Sequence, residues 1–267
     1  MNQFAPPYVQ MKQPSAPRFI VALTMLDGRL VRTTKFAAPR YVGDPINAVK
    51  LFSEKGVDEL VLLEIGKQPF NAHRVEMIRK VATEAFMPIG YGGGVRTIDQ
   101  IRSVIRSGYE KVVLNSVLHN TPELVKSAAN EFGAQAIMAS IEVSNGWLRG
   151  MHVRTNCGRT STRLKPVEWS KRCEDIGCGE LMVTFIDHDG SMAGYHCDLI
   201  AEIAAVVSIP VIALGGAGTV EHLKAGLAAG ASAVAAGSMF VFHGPRRAVL
   251  INYPDLHRTF ESVANSV

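Results

Sequence analysis

Two glycine-rich turns, Gly92-Gly93-Gly94 and Gly215-Gly216-Ala217-Gly218, are where this 267-residue chain shows the clearest capacity for chemistry. A backbone without Cβ lets an anion come close, and the N–H groups of a tight turn converge on it, so such turns bind phosphate. The two turns belong to a repeat. Placing Pro88 on Pro210, an offset of 122 (210 − 88 = 122), also superposes Gly93 on Gly215, Gly94 on Gly216, Thr97 on Thr219, Gly108 on Gly230 and Ser116 on Ser238. No gap is needed over about thirty residues, as expected for two copies of one supersecondary unit. A lone glycine triplet would as readily be a tight strand-to-helix turn. Its duplication favours two phosphate sites on one face, and hence a substrate with a phosphate at each end.

The repeated unit is an apolar strand, a glycine turn, an amphipathic helix and a second apolar strand, and the rest of the chain continues it. Residues 19–24 form an apolar run suited to a strand buried on both faces, closed by an Asp27-Gly28 turn. Asp44-Pro45 opens a helix as N-cap and first helical residue. Further strands are expected at 59–64, 87–91, 111–116, 136–142, 180–185, 209–214 and 232–236, with helices at 73–85, 97–107, from Thr121 onward, 166–176, 198–207 and 219–229. Asn145-Gly146 marks a hairpin excursion through Trp147 to Val153. Eight strands alternating with helices predict an α/β fold, a (β/α)₈ TIM barrel with an internal two-fold, half-barrel repeat. The C-terminal strand ends, the face that carries chemistry in this fold, bear Thr24, Glu64, Gly92, Asn115, Glu142, Thr184, Leu214 and Gly237-Ser238. Residues 1–17 hold four prolines and no periodicity, which predicts a mobile extension ahead of a single barrel domain at 18–267.

Composition narrows the function. A hydrophobic content of 47% with 19% charged residues is that of an ordinary globular protein. The net charge of +4 is spread along the chain, which points to small anions as ligands and away from nucleic acid. Cys157, Cys173, Cys178 and Cys197 lack metal-ligand spacing, so reduced thiols, no metal and no cofactor are expected. No apolar run approaches a membrane span and no signal peptide is evident, which predicts a cytoplasmic protein.

From residue 18 to about 243 the sequence resembles the cyclase subunit of imidazole glycerol phosphate synthase. The likeness rests on Asp27-Gly28-Arg29, Gly43-Asp44-Pro45, Asp58-Glu59-Leu60, Gly92-Gly93-Gly94-Val95-Arg96, Asn115-Ser116, Gly179-Glu180, Thr184, Asp187-His188-Asp189-Gly190 and Gly215-Gly216-Ala217-Gly218. It implies one phosphate on Gly94, Asn115 and Ser116 and the other on Asp189, Gly190, Gly216, Gly237 and Ser238. It also implies a catalytic pair at Thr24 and Glu142, where the family carries two aspartates, and Glu64 stands where the family usually has aspartate. Ring closure needs a general acid and a general base on opposite sides of the substrate, and a threonine hydroxyl is no carboxylate near neutral pH. Cyclase activity is therefore expected to be impaired.

The resemblance further implies that Arg18, Glu59, Lys111 and Glu180, at the N-terminal strand ends, form an alternating ring through which ammonia enters from a docked glutaminase subunit. Without the resemblance they would read as a structural ion-pair ring. Candidate lining residues beyond the ring are Val21, Val61, Val113 and Val183. Lys111→Ala is expected to leave folding largely intact. Finally, residues 238–254, with 42–50 and 212–218, look like a divergent branch of the family associated with surface-polysaccharide genes. That branch implies an N-acetyl sugar amidotransferase as a second partner, a phosphorylated or nucleotide-sugar ligand, and conversion of an acetamido to an acetamidino group. The alternative is a working histidine-pathway cyclase. Gly244-Pro245 should send residues 246–254 out of the barrel pattern as a loop or cap, with Arg246 and Arg247 either solvated or near a ligand phosphate.

Overall fold

Strands without a polar face must be covered on both sides, and a closed barrel jacketed by helices does this. The computed structural model describes residues 17–68, 70–146 and 150–264. The first half runs β1 (Arg18–Leu26), β2 (Arg29–Thr34), β3 (Ala37–Gly43), α1 (Pro45–Glu54), β4 (Glu59–Glu64), α2 (Ala72–Ala82), β5 (Ile89–Gly92), α3 (Ile98–Arg106), β6 (Lys111–Leu114), α4 (Ser116–Asn120) and α5 (Pro122–Phe132). The second runs β7 (Ile137–Gly146), β8 (Gly150–Thr155), β9 (Thr160–Ser161), α6 (Pro166–Ile176), β10 (Glu180–Phe185), α7 (Cys197–Ala204), β11 (Val211–Leu214), α8 (Val220–Ala228), β12 (Ala233–Ala236) and α9 (Ser238–Val241). After it come a small hairpin, β13 (Phe242–His243) and β14 (Ala248–Val249), and α10 (Leu256–Ala264). Strands β1, β4, β5, β6, β7, β10, β11 and β12 pair in that order, all parallel, and β12 returns to β1. The chain is a (β/α)₈ TIM barrel.

Side chains alternate along a strand, and the alternation sorts the core into two clusters. In β1, Arg18, Ile20, Ala22 and Thr24 share the inner face; Phe19, Val21 and Leu23 pack against the helices. The inner cluster holds Ile20, Ala22, Val61, Val113, Met138, Met182, Ile212 and Ala233. Val61 and Val113 therefore face the bore as expected. Val21 and Val183 do not, because each is one residue out of phase with the inward-facing Arg18 and Glu180 of its own strand.

Local chemistry sets the element ends. Asp44 caps α1 by accepting the Asn47 N–H at 2.9 Å, with Pro45 in the first turn. Asp27 and Gly28 both take positive φ (49° and 76°), which matches the turn of a two-residue hairpin and folds β2 back antiparallel on β1, Thr24 opposite Val31. The Asn145-Gly146 excursion pairs β7 with β8, but its tip at 147–149 lies outside the described residues, as does the extension at 1–16. The strand expected over 111–116 stops at Leu114: Ser116 opens α4, as Ser238 opens α9 after β12, so the two halves match here too. Residues 246–254 leave the barrel as expected, and Arg247 ties their hairpin to the mouth by donating to the carbonyls of Gly190 and Ser191, each at 3.1 Å. Helix α10 was not foreseen; its His257 bonds Asp58 at 2.7 Å and packs edge-on against Phe19.

Candidate functional site

At the C-terminal mouth, the loop after β10, the glycine turn after β11 and the end of β12 bring Asp189, Gly190, Gly216, Gly237 and Ser238 around one pocket. All five expected residues of this half-site are together. The glycines are required sterically: a Cβ on Gly216 (φ +110°) would sit 2.1 Å from the Gly194 carbonyl oxygen, and one on Gly237 would sit 2.2 Å from Arg32 Nη1. Arg32, on the returning β2, also lines the pocket, and sequence reasoning missed it. Its Nη1 donates to the Ala22 carbonyl at 3.2 Å and to Thr24 Oγ1 at 3.4 Å, and its Nη2 to Ser238 Oγ at 3.3 Å. Burial pulls its pKa down, with Asp189, 4.0 Å away, opposing this; burial pushes the Asp189 carboxyl up. A buried guanidinium beside a glycine cradle is a favourable environment for a phosphate dianion. The signal available in the sequence was the Asp27-Gly28 turn, which sends residue 32 back over the mouth.

The first half-site is not assembled in the same way. Asn115 Nδ2 donates to the Ser140 carbonyl at 3.0 Å, while Ser116 Oγ donates to Asn115 Oδ1 at 3.2 Å and accepts the Asn156 N–H at 2.9 Å. These polar atoms are thus engaged with β7 and with the segment after β8. Gly94 (φ +69°) instead faces Arg74 of α2.

Thr24 and Glu142 end strands four steps apart in an eight-strand ring, so they stand on opposite sides of the mouth, as an acid and base pair would. Glu142 is 9% exposed and its Oε2 accepts the Gly158 N–H at 2.8 Å. Burial pushes its carboxyl from 4.5 up to about 7, Asp189 adding to the shift while Gly158, Arg159 and Arg154 oppose it. A carboxyl titrating there can give or take a proton near neutral pH.

A raised folded-state pKa also links Glu142 to stability. Its contribution is fully present below the ordinary 4.5 and is lost as pH rises through about 7, because the buried form must then ionise. Glu142→Gln should therefore match the parent protein near pH 4.5 and exceed it by roughly 1–3 kcal/mol at about pH 8.5. Urea unfolding at both pH values measures this, and a constant difference between the two proteins would contradict it.

At the opposite face, the N-terminal strand ends bring all four expected charges into one ring. Arg18 pairs with Glu59 at 2.7 Å and with Glu180; Lys111 pairs with Glu59 at 2.8 Å and with Glu180 at 2.7 Å. Both glutamates are buried. Burial lowers the Arg18 pKa, but Glu180 and Glu59 outweigh it and hold it above its ordinary value. The ring closes one end of the bore, directly below the inner cluster of Ile20, Val61, Val113 and Met182.

Comparison with known proteins matches this architecture. The profile of the histidine biosynthesis protein family matches residues 18–245. A Pseudomonas aeruginosa protein provisionally named imidazole glycerol phosphate synthase subunit hisF2 is 43% identical over 243 residues, covering 90% of this chain and 97% of its own length. A Leptospira borgpetersenii protein provisionally named subunit HisF of that synthase is 37% identical, covering 90% and 95%. A Vibrio vulnificus protein provisionally named subunit hisF3 is 38% identical, covering 89% and 92%. With a closed barrel and a profile match over most of its length, the chain belongs to the histidine biosynthesis protein family, among the barrels like the cyclase subunit of imidazole glycerol phosphate synthase.

Proposed function

We propose that this barrel conducts ammonia from a glutaminase docked on its N-terminal face to an N-acetyl sugar amidotransferase, which uses it to convert a sugar acetamido group to an acetamidino group for surface polysaccharide. The observation that carries the proposal is the four-charge ring over an apolar bore. Buried charge is expensive unless paired, and here each base serves both acids, so the entrance is held shut by reciprocal ion pairs. An apolar barrel interior of this kind would keep ammonia neutral and undiluted on its way to the other face. Thr24 favours delivery over chemistry in the barrel itself, since it removes one carboxylate from the mouth. The complex so proposed is a cytoplasmic one; among the described residues no helix is long and apolar enough to cross a membrane.

The second reading, a working histidine-pathway cyclase, is favoured by Glu142, whose carboxyl titrates at about 7, and by the intact cradle around Ser238. To test the first reading, glutaminase, barrel and amidotransferase are combined with glutamine or with excess ammonium. Omitting the barrel should abolish glutamine-dependent amidination and spare the ammonium-dependent reaction. Glutamine-dependent amidination that proceeds equally well without the barrel rejects the proposal.

A further inference from the structure

Two hairpins stand outside the barrel pattern on the rim of the mouth. The eight parallel strands close on one another, β12 returning to β1, so neither β2–β3 nor β13–β14 is needed to complete the ring. Both are nonetheless fixed to the same loop after β10. The Lys35 N–H donates to the Asp189 carbonyl at 2.9 Å, and Arg247 donates to the carbonyls of Gly190 and Ser191. The hairpins also meet each other, since the Arg40 guanidinium lies 5.3 Å from the centre of the Phe242 ring.

Their composition is one-sided. Residues 29–43 and 242–250 contain Arg29, Arg32, Lys35, Arg40, Arg246 and Arg247 and no aspartate or glutamate. Six positive charges thus fall in two short segments of a chain whose net charge is +4, which leaves the rest of the molecule slightly acidic. Arg32 is turned into the pocket, but Arg29, Lys35, Arg40 and Arg246 are exposed, and among the described residues none of these four forms an ion pair. Apolar groups are exposed beside them. Tyr41 at 60%, Leu250 at 54% and Val249 at 42% are half of the large apolar side chains that the described surface leaves exposed. Arginine and tyrosine set among aliphatic groups, with carboxylates excluded, have the make-up of a protein-binding surface. Pro39 removes a donor from the free edge of β3, so a partner would engage side chains and not pair as a further strand.

We propose that the two hairpins form the dock for the enzyme that accepts ammonia, and that the surface it presents to them is acidic around an apolar centre. The inference rests on the reading of the barrel as a conduit, in which the passage opens at the mouth and its user must cover that face. The charge of the rim then selects the partner: a basic surface without carboxylates attracts an acidic one and repels a second basic one. The glutaminase, on the opposite face, does not touch this surface.

Binding of the N-acetyl sugar amidotransferase to the full barrel, measured by biolayer interferometry, tests the dock. Arg246→Glu combined with Leu250→Asp should weaken it roughly 10- to 100-fold, whereas Arg246→Lys combined with Leu250→Met should bind as the parent does. Glutaminase binding and ammonium-dependent amidination should be unchanged in both, and glutamine-dependent amidination should fall only in the first. Raising the salt concentration should weaken the parent complex more than the Arg246→Glu, Leu250→Asp one. Circular dichroism checks folding, and Arg246→Glu alone carries the test if the double variant does not fold. An amidotransferase that binds parent and charge-reversed barrels equally well overturns the dock and leaves the conduit standing, whereas one that does not bind the parent at all sinks the conduit as well. A parent complex insensitive to salt overturns the acidic character of the partner surface. Sedimentation of the parent, but not of the charge-reversed variant, with anionic phosphatidylglycerol vesicles, while amidotransferase binding stays unchanged, assigns the surface to a membrane and overturns the proposal.

Discussion

Purified and given excess ammonium with the substrate of the synthase cyclase, the protein should turn over at least ~10²-fold more slowly than an ordinary enzyme of its class. General acid and base groups contribute about 10²- to 10⁴-fold each, and one of the two positions is Thr24. Its hydroxyl accepts from Arg32 Nη1 at 3.4 Å and has no charge to offer. Glu142 is a lesser defect. It keeps a carboxyl, and burial raises that carboxyl to about 7. Most of the recoverable activity should therefore come from Thr24→Asp alone, because a carboxylate at this place meets Arg32 and stays ionised. Glu142→Asp, which shortens the acid by one methylene, should add less. Steady-state kinetics of the parent, both single variants and the double variant give the partition. Parent turnover on the order of 1–10 s⁻¹ would place the protein among working cyclases and reject the conducting role as its main one.

Much of the framework was legible because parallel strands buried on both faces leave continuous apolar runs. Glu59–Glu64, Pro166–Ile176 and Glu180–Phe185 fall where the pattern predicts. The strand expected over 111–116 overshoots by Asn115 and Ser116, polar residues at a strand-to-helix junction that carry no turn signal: the chain leaves the sheet at Asn115, whose backbone (φ −126°, ψ −86°) is outside the strand region. Strand β2 was missed because Arg29-Leu30-Val31-Arg32-Thr33-Thr34 has no apolar run of its own; pairing with β1 makes it a strand. Arg32 was lost with it. Arg74 was available in principle, as a charge on the stripe that Ile78 and Val81 define, but a helix face is identified as buried only once its packing is known. Val21 and Val183 were misplaced because the strand phase was not applied: with Arg18 pointing inward, residues 20, 22 and 24 point inward too and Val21 cannot.

Lys111→Ala should separate glutamine hydrolysis from amidination, so that glutamate is released with at least roughly fivefold less product per turnover. The ring geometry also changes what this variant does to stability. From sequence, Lys111 was one charge at an edge and its loss looked harmless. In the structure it is the ion pair that Glu59 and Glu180 share opposite Arg18, and both glutamates are buried. Removing a partner of a buried pair costs about 3–5 kcal/mol when nothing else compensates. Arg18 remains bonded to both acids, so a loss of about 1–3 kcal/mol is expected, a fall in Tm of several degrees for a barrel of this size. Assays well below the new Tm keep unfolding out of the comparison. Gly90 bears on the mechanism, since β5 contributes no side chain between Val61 and Lys111, where an added Cβ would meet them at 3.5 and 3.6 Å. On the proposed ammonia route, that gap is where the lysine would swing aside while Arg18 still holds both glutamates. Lys111→Arg should keep the ring closed and preserve coupling better than alanine does. Glutamate and amidinated sugar are measured together in the reconstituted complex. An unchanged ratio in Lys111→Ala, with the fall in Tm present, would reduce the ring to a structural closure of the barrel.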